Sequence, residues 1–322
     1  MDYVNLGGAG VKVSPIALGL GLRGQSSPDE AQRLIEHALE RGINLIDCAN
    51  VYAMLDNTTN VGEAETVLGR VLRSKRDDVV ITSKATSPVG AGPNDRGSSR
   101  YHIMREVERS LRRLQTDHID VYLLHGFDEE TPLEETIRAL DDLVRAGKVR
   151  YVGCCNFRAW QVCKSLWVAD QLNATPFMCV QNPYNLLNRG LEAGMFGLVR
   201  DQGLGVMAYS PLAGGLLSGV YSPDEQPPAD SLWGMRPRRD LASALAERAG
   251  DVLAAVRETA GSIGKTPAQV ALAWVLSHPE VTVAITGGDT IAHLDDNFGA
   301  SARQSFKNPY LRDPNRDTSH AG

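Results

Sequence analysis

The chain lacks a basic surplus, a long apolar run and any paired-cysteine motif, and each absence removes a class of function. Its 33 Lys and Arg against 39 Asp and Glu give a formal net charge of -6, which argues against a nucleic-acid-binding surface. No stretch approaches the ~18 consecutive apolar residues of a membrane-spanning helix. The N-terminus MDYVNLGGAG has no basic segment followed by an apolar one, so it does not read as a secretion signal. The five cysteines, Cys48, Cys154, Cys155, Cys163 and Cys179, are odd in number, and none forms a CxxC pair with a nearby His. They read as reduced thiols of a cytoplasmic protein, with neither a disulfide framework nor a metal site expected.

What is present is a regular alternation. The opening DYVNLGGAGVKVSP predicts a hairpin with a Gly-Gly-Ala-Gly tip. After it, eight short and mostly apolar runs have the composition of parallel strands buried on both faces: PIALGL, INLIDCA, DVVITSK, HIDVYLLH, VRYVGCCN, FMCVQNPY, LGVMAYS and VTVAIT. Between them lie amphipathic stretches such as PDEAQRLIEHALERG, GEAETVLGRVLRS, RYHIMREVERSLRRL, PLEETIRALDDLVRAGK and TPAQVALAWVLSHP, several closed by a Gly. A length of 322 residues suits one α/β barrel or two smaller domains. Eight strand-helix units after a hairpin favour the first, a (β/α)8 TIM barrel whose hairpin closes the bottom. No linker divides the chain, so residues 1–322 are expected to form a single barrel domain, with the polar, Pro-containing 306–322 a poorly ordered tail.

Four ionisable residues, Asp47, Tyr52, Lys84 and His125, each stand at or just past the C-terminal end of a separate predicted strand, in the runs INLIDCANVY, VVITSK and VYLLH. That is the rim where such barrels carry chemistry. A Tyr hydroxyl of ordinary pKa ~10 is a poor acid near neutral pH unless a cation stabilises its anion. Lys84 is the candidate cation, and lowering the Tyr by ~2 units would take about 2.7 kcal/mol. Asp47 would hold Lys84 charged and in place. His125, through a ring N–H, would aim a substrate carbonyl at Tyr52.

A rival motif overlaps the first strand. Gly19-Leu20-Gly21-Leu22-Arg23-Gly24 matches the GxGxxG dinucleotide fingerprint, and Asp47 falls near the ribose-binding acid of that pattern. In the fingerprint, however, the third Gly packs inside the opening helix, whereas here QSSPDE places a Ser-Pro helix start several residues later. A Gly-rich loop near the barrel mouth accounts for the same residues.

From LGGAGVKVSPIALG through GPNDRGSSRYHI, EETIRALDDLVRAGKVRYVG and AYSPLAGGLLSG to HLDDNFGA, the chain resembles the aldo-keto reductases, in particular bacterial members similar to potassium-channel beta subunits. The resemblance implies a (β/α)8 barrel that binds a nicotinamide dinucleotide, NADP or NAD, without a Rossmann domain. It also implies that Asp47, Tyr52, Lys84 and His125 form the catalytic tetrad, with Tyr52 the general acid of carbonyl reduction. Asn156 and Gln181 match the side chains that hold the nicotinamide carboxamide, and Tyr209 the aromatic on which the ring stacks. Ser210 and Leu212 match the pyrophosphate segment, and Asp296 and Asn297 the adenosine contacts. Gly19, Leu20, Cys155, Gly287, Asp289 and His293 complete the implied cofactor-binding positions.

Several positions depart from the family pattern. Cys48 replaces the usual Thr and Cys155 the usual Ser, and a thiol is the weaker hydrogen-bonding group. Gly214, Val220 and Asp289 stand where relatives commonly carry basic residues that select an adenosine 2′-phosphate. An acid at Asp289 would repel that phosphate by roughly 1–3 kcal/mol and suit a free 2′-hydroxyl instead. Arg236, Arg238 and Arg239 offer compensating charge, so selectivity stays open. Gly126 follows His125 where relatives often have a large residue, which implies a wider pocket. Residues Ala53 to Val61 would form one wall, with Phe127 and Trp233 as aromatic candidates. The expected activity is NAD(P)H-dependent reduction of a small aldehyde or ketone to its alcohol. The alternatives are a cofactor-sensing protein like the beta subunits, with slow turnover, and a barrel enzyme such as an isomerase that needs no dinucleotide.

Overall fold

The computed structural model describes residues 2–57, 59–221, 248–288 and 290–300. Strands β1 (Val4–Asn5) and β2 (Lys12–Val13) pair antiparallel as the opening hairpin. The units that follow are β3 (Ile16–Gly19), α1 (Pro28–Glu40), β4 (Leu45–Asp47), α2 (Glu63–Leu72), β5 (Val80–Ala85), α3 (Arg100–Leu114), β6 (Ile119–Leu124) and α4 (Leu133–Arg145). They continue with β7 (Val149–Cys155), α5 (Ala159–Leu172), β8 (Phe177–Pro183), α6 (Met195–Gln202), β9 (Gly205–Tyr209), α7 (Arg248–Ile263), α8 (Pro267–Leu276), β10 (Val281–Thr286) and α9 (Ile291–Phe298). Strands β3 to β10 form a closed, all-parallel barrel in chain order, with β10 returning to pair β3. This is the expected (β/α)8 fold, and each of the eight apolar runs supplies one barrel strand.

Helix starts follow local chemistry. Ser27 caps α1 by accepting from Glu30 N, with Pro28 at the first turn. The Ser-Pro start therefore lies where the sequence put it, and Gly24 is outside the helix, as the Rossmann alternative would not allow. Thr266 and Gln269 form a reciprocal capping box on α8.

Two apolar layers result. Helices pack on the outer faces of the strands around residues such as Leu68, Val107, Leu140 and Trp274. Inside the barrel sit Leu6, Val13, Ala17, Leu45, Val121, Leu123, Cys155, Cys179, Met207, Val283 and Ile285. Side chains alternate faces along a strand. Asp47, Lys84, His125, Gln181 and Tyr209 therefore point the same way as this inner layer, two residues beyond Leu45, Thr82, Leu123, Cys179 and Met207. The polar residues form the uppermost layer of a filled barrel.

The hairpin lies at the opposite end, against the N-terminal ends of β8 and β9. Gly8 N donates to Gly203 O at 2.7 Å, and Leu6 is fully buried. Gly7 has φ +59, and a Cβ there would run into Gly205 N and lie 2.9 Å from Met178 O. Neither obstacle is a side chain able to move aside. Gly7→Ala should cost about 2–5 kcal/mol, through backbone strain and overpacking together. Gly10→Ala, with nothing within 4 Å of the added carbon, should be nearly neutral. Denaturant midpoints of the two variants check this; equal midpoints would mean that the hairpin is not seated on the barrel.

Candidate active site

The centre is a buried ion pair. Lys84 Nζ lies 2.8 Å from Asp47 Oδ2, with both side chains almost wholly removed from solvent. All three ammonium protons have acceptors, since Nζ also donates to Cys48 O at 2.7 Å and Tyr52 Oη at 3.2 Å. The other carboxylate oxygen, Asp47 Oδ1, accepts from Thr82 Oγ1 at 2.5 Å and Gln181 Nε2 at 2.7 Å. His125 Nε2 stands 3.5 Å beyond the Tyr52 hydroxyl, with the rings edge to face. The structure thus brings all four predicted residues together. They come from three strand ends, however: Tyr52 follows Asp47 in the loop after β4 and has no strand of its own.

The electrostatics correct one expectation. Burial pushes the Tyr52 hydroxyl up to about 12, and this outweighs the lowering by Lys84, which Asp47 further opposes. The ammonium already faces a carboxylate, so its field at the phenol is partly cancelled. Desolvation also works hardest against the Lys84 ammonium, but Asp47 and its other neighbours prevail and keep it charged, with its pKa raised. For His125, burial and then Lys84 bring the pKa down to about 3, against Asp47. The site at neutral pH therefore holds a protonated Tyr, a neutral His and an internally balanced ion pair.

Other predicted residues cluster on the same rim. Asn156, exposed and at φ +61, donates to His125 O at 2.9 Å and accepts from Tyr209 Oη at 2.8 Å. Gln181 is buried beneath, its Oε1 accepting from Cys155 Sγ at 3.6 Å. Cys155 is buried and pairs in register with Gln181 across β7 and β8. Ser210 has φ +52, and its carbonyl accepts from Asn185 Nδ2 at 2.9 Å. Gly19 lies where a Cβ would come within 2.9 Å of Ile285 Cγ2, and the loops after β3 and β10 are tied by Gln25 Nε2 donating to Gly288 O at 3.0 Å.

The adenosine-side candidates are turned inward. Asp296 accepts from Thr266 Oγ1 and from Gln269 Nε2, at 2.9 and 3.0 Å, and so links α9 to the start of α8. Asn297 is buried and donates to Thr286 Oγ1 and Gly287 O. His293 is exposed on the first turn of α9. Asp289, Trp233, Arg236, Arg238, Arg239 and the tail from 306 lie outside the described residues. Phe127 packs against Phe157 and Trp160. A carbon added at Gly126 meets nothing within 4 Å, which agrees with open space beside His125. Leu55, 54% exposed, is held to the loop after β3 through its N–H to Leu22 O at 2.9 Å. Two surface cavities, of about 300 and 340 Å³, are lined by residues such as Val61, Arg70, Arg112 and Gln115 rather than by strand ends.

Sequence reasoning missed Thr82, the second anchor of Asp47, although alternation from Lys84 points to it. It also missed Ser87, whose Oγ lies 3.0 Å from His125 Nδ1, because a Ser past a strand end carries no signal.

Residues 15–308 match the model of the Aldo/keto reductase family. An uncharacterized oxidoreductase, YrpG, from Bacillus subtilis (strain 168) is 37% identical over 308 residues, covering 93% of this chain and 91% of that protein. Probable voltage-gated potassium channel beta subunits from Arabidopsis thaliana and Oryza sativa subsp. japonica are 33% and 34% identical, with the same coverage of 93% and 91%. The chain belongs to the aldo/keto reductase family, and with it to the NAD(P)-dependent oxidoreductases. Among the described residues no helix is long and apolar enough to cross a membrane.

The residues fit a nicotinamide. The Asn156 amide is at the surface beside His125 and Tyr209, and its present partners leave it one N–H and one lone pair for a second planar amide. The half-exposed Tyr209 ring borders it.

The pH dependence follows from the two shifts. Tyr52 stays protonated below about 12 and His125 neutral above about 3, so kcat/KM for reduction should be flat between about pH 5 and 9. An acid limb centred near pH 6.5 would show that His125 titrates as an ordinary imidazole.

Proposed function

We propose that this protein reduces a small aldehyde or ketone to an alcohol, with Tyr52 as the proton donor. The observation that carries the reading is the Tyr52 hydroxyl fixed between Lys84 Nζ at 3.2 Å and His125 Nε2 at 3.5 Å, at an open rim. A nicotinamide dinucleotide supplies the hydride to the carbonyl carbon when bound. Asn156 and Tyr209 would hold its nicotinamide, with Gln181 supporting from below. The substrate oxygen is received by Tyr52 Oη and His125 Nε2. As negative charge grows on that oxygen, Tyr52 transfers its proton and the Lys84 ammonium stabilises the phenolate left behind. The alcohol carries one hydrogen from each donor, and the reverse oxidation uses the same groups.

A pKa near 12 in the resting site does not disqualify Tyr52. The product alkoxide is a far stronger base than a phenolate, so transfer is downhill once charge develops. Tyr52→Phe should lower carbonyl reduction by at least about 100-fold while changing cofactor affinity little. Turnover like the parent protein would remove Tyr52 from the acid role.

The names of the two plant relatives favour a second reading, a binding protein in which cofactor occupancy matters more than turnover. Sustained multiple turnover of an aldehyde separates the two; a single stoichiometric oxidation of bound cofactor would favour the second.

For the cofactor, we propose that NADPH and NADH are both accepted, because an acid at Asp289 and neutral residues at Gly214 and Val220 weaken the usual attraction to a 2′-phosphate. Titration of the fluorescence of the four Trp residues with each dinucleotide should give Kd values within about tenfold of one another. A preference for NADPH beyond about 100-fold would mean that other cations dominate, and binding of neither would defeat the oxidoreductase reading.

A further inference from the structure

We propose that Ser87 is a positioning residue: its hydroxyl donates to Nδ1 of His125 and so fixes the tautomer in which Nε2 carries the proton and faces the substrate oxygen. The inference rests on the function proposed above and adds a residue to it.

The argument starts from proton accounting at Tyr52. Lys84 Nζ donates to Tyr52 Oη at 3.2 Å, so the phenol keeps its own O–H for another acceptor. The described side chain in line to take it is His125, with Nε2 at 3.5 Å. Were Nε2 the unprotonated nitrogen, Tyr52 would donate to His125, and a carbonyl would compete with an imidazole for the reacting proton. With the proton on Nε2, both Tyr52 and His125 present donors to one oxygen. A neutral imidazole can carry its hydrogen on either nitrogen, and the partner of the other nitrogen decides. That partner is Ser87 Oγ, at 3.0 Å from Nδ1. A hydroxyl can turn its hydrogen toward Nδ1, as the required tautomer demands.

The backbone around Ser87 is built to hold this contact. Thr86 has φ +94, a conformation that costs a β-branched residue about 1–3 kcal/mol and persists only when its surroundings enforce it. Here they do. Thr86 O accepts from Gly97 N at 2.9 Å, Thr86 Oγ1 accepts from Gly126 N at 3.1 Å, and His125 N donates to Ala85 O at 2.7 Å. The turn after Lys84 therefore grips His125 and Gly126 by two hydrogen bonds, is braced by a third from Gly97, and delivers the Ser87 hydroxyl to the ring. On the other side Asn156 Nδ2 holds His125 O at 2.9 Å. His125 is fixed at its backbone and at Nδ1, and Nε2 is directed at the Tyr52 hydroxyl.

The test is nitrogen-15 NMR of the full-length protein labelled at its seven histidines, without cofactor, with the His125 signals assigned by their loss in His125→Asn. At neutral pH the parent protein should show His125 Nδ1 unprotonated and Nε2 protonated. Ser87→Ala should mix in the opposite tautomer and lower kcat for aldehyde reduction roughly tenfold, while Kd for the reduced dinucleotide stays within about twofold. Ser87→Thr, which keeps the hydroxyl, should restore both spectrum and rate. A parent spectrum with the proton on Nδ1, or a Ser87→Ala protein with unchanged tautomer and rate, would overturn the proposal. The tautomer is read without cofactor or substrate, so failure of the proposed reaction and failure of this inference remain distinguishable.

Discussion

Everything at the rim depends on the ion pair between Lys84 and Asp47. An ammonium with no solvent exposure would lose several kcal/mol on leaving water. It is tolerated because a carboxylate lies 2.8 Å away and because a backbone carbonyl and a phenol oxygen accept its two remaining protons. The carboxylate is in turn fixed by Thr82 and Gln181. Such a pair is weak evidence for stability, since well-packed apolar residues of equal volume often serve the fold as well or better. It makes sense as part of a site, where it places a permanent cation beside one hydroxyl with no freedom to swing away.

The fold was legible because the barrel strands are buried on both faces and appear in sequence as apolar runs ended by chemistry-bearing residues. The inner layer was also readable: Leu45 to Asp47, Leu123 to His125 and Met207 to Tyr209 are each a two-residue step along one face. Helix α5 was harder, because Trp160 and Trp167 are more than half exposed and blur its amphipathic pattern. The expectation of a separate strand for each of the four residues failed because Asp47 and Tyr52 share the end of one strand, which stops at Asp47 and leaves Tyr52 in the loop that follows.

Two further features were beyond the reach of sequence for physical reasons. The sign of the Tyr52 shift depends on how much water is excluded and on how much of the Lys84 charge Asp47 has already cancelled, and neither quantity is local in the chain. The Ser87 contact depends on Thr86 adopting a left-handed φ, which nothing about Thr announces. Asp296 and Asn297 show the same limit from the other side. Their place in the sequence suggests ligand contacts, yet their side chains join α9 to the start of α8 and to the end of β10 and the loop after it. One position can serve the architecture of a site and its ligand together.

The distribution of charge also bears on what the site favours. Lys84 and Asp47 oppose each other at short range, Tyr52 keeps its proton and His125 stays neutral, so a carbonyl substrate of the kind proposed would meet little net charge. A ketone or aldehyde is neutral as well, and its ground state gains little from such surroundings. In the proposed reaction the Tyr52 and His125 donors, backed by a buried cation, become strongly favourable only when negative charge builds on the carbonyl oxygen. Stabilisation that grows with the reaction lowers the barrier, whereas attraction to the resting substrate would lower KM alone. Burial, which raises Tyr52 and lowers His125, would in the proposed reaction keep the proton donor Tyr52 and the hydrogen-bond donor His125 neutral until the oxygen demands a charge.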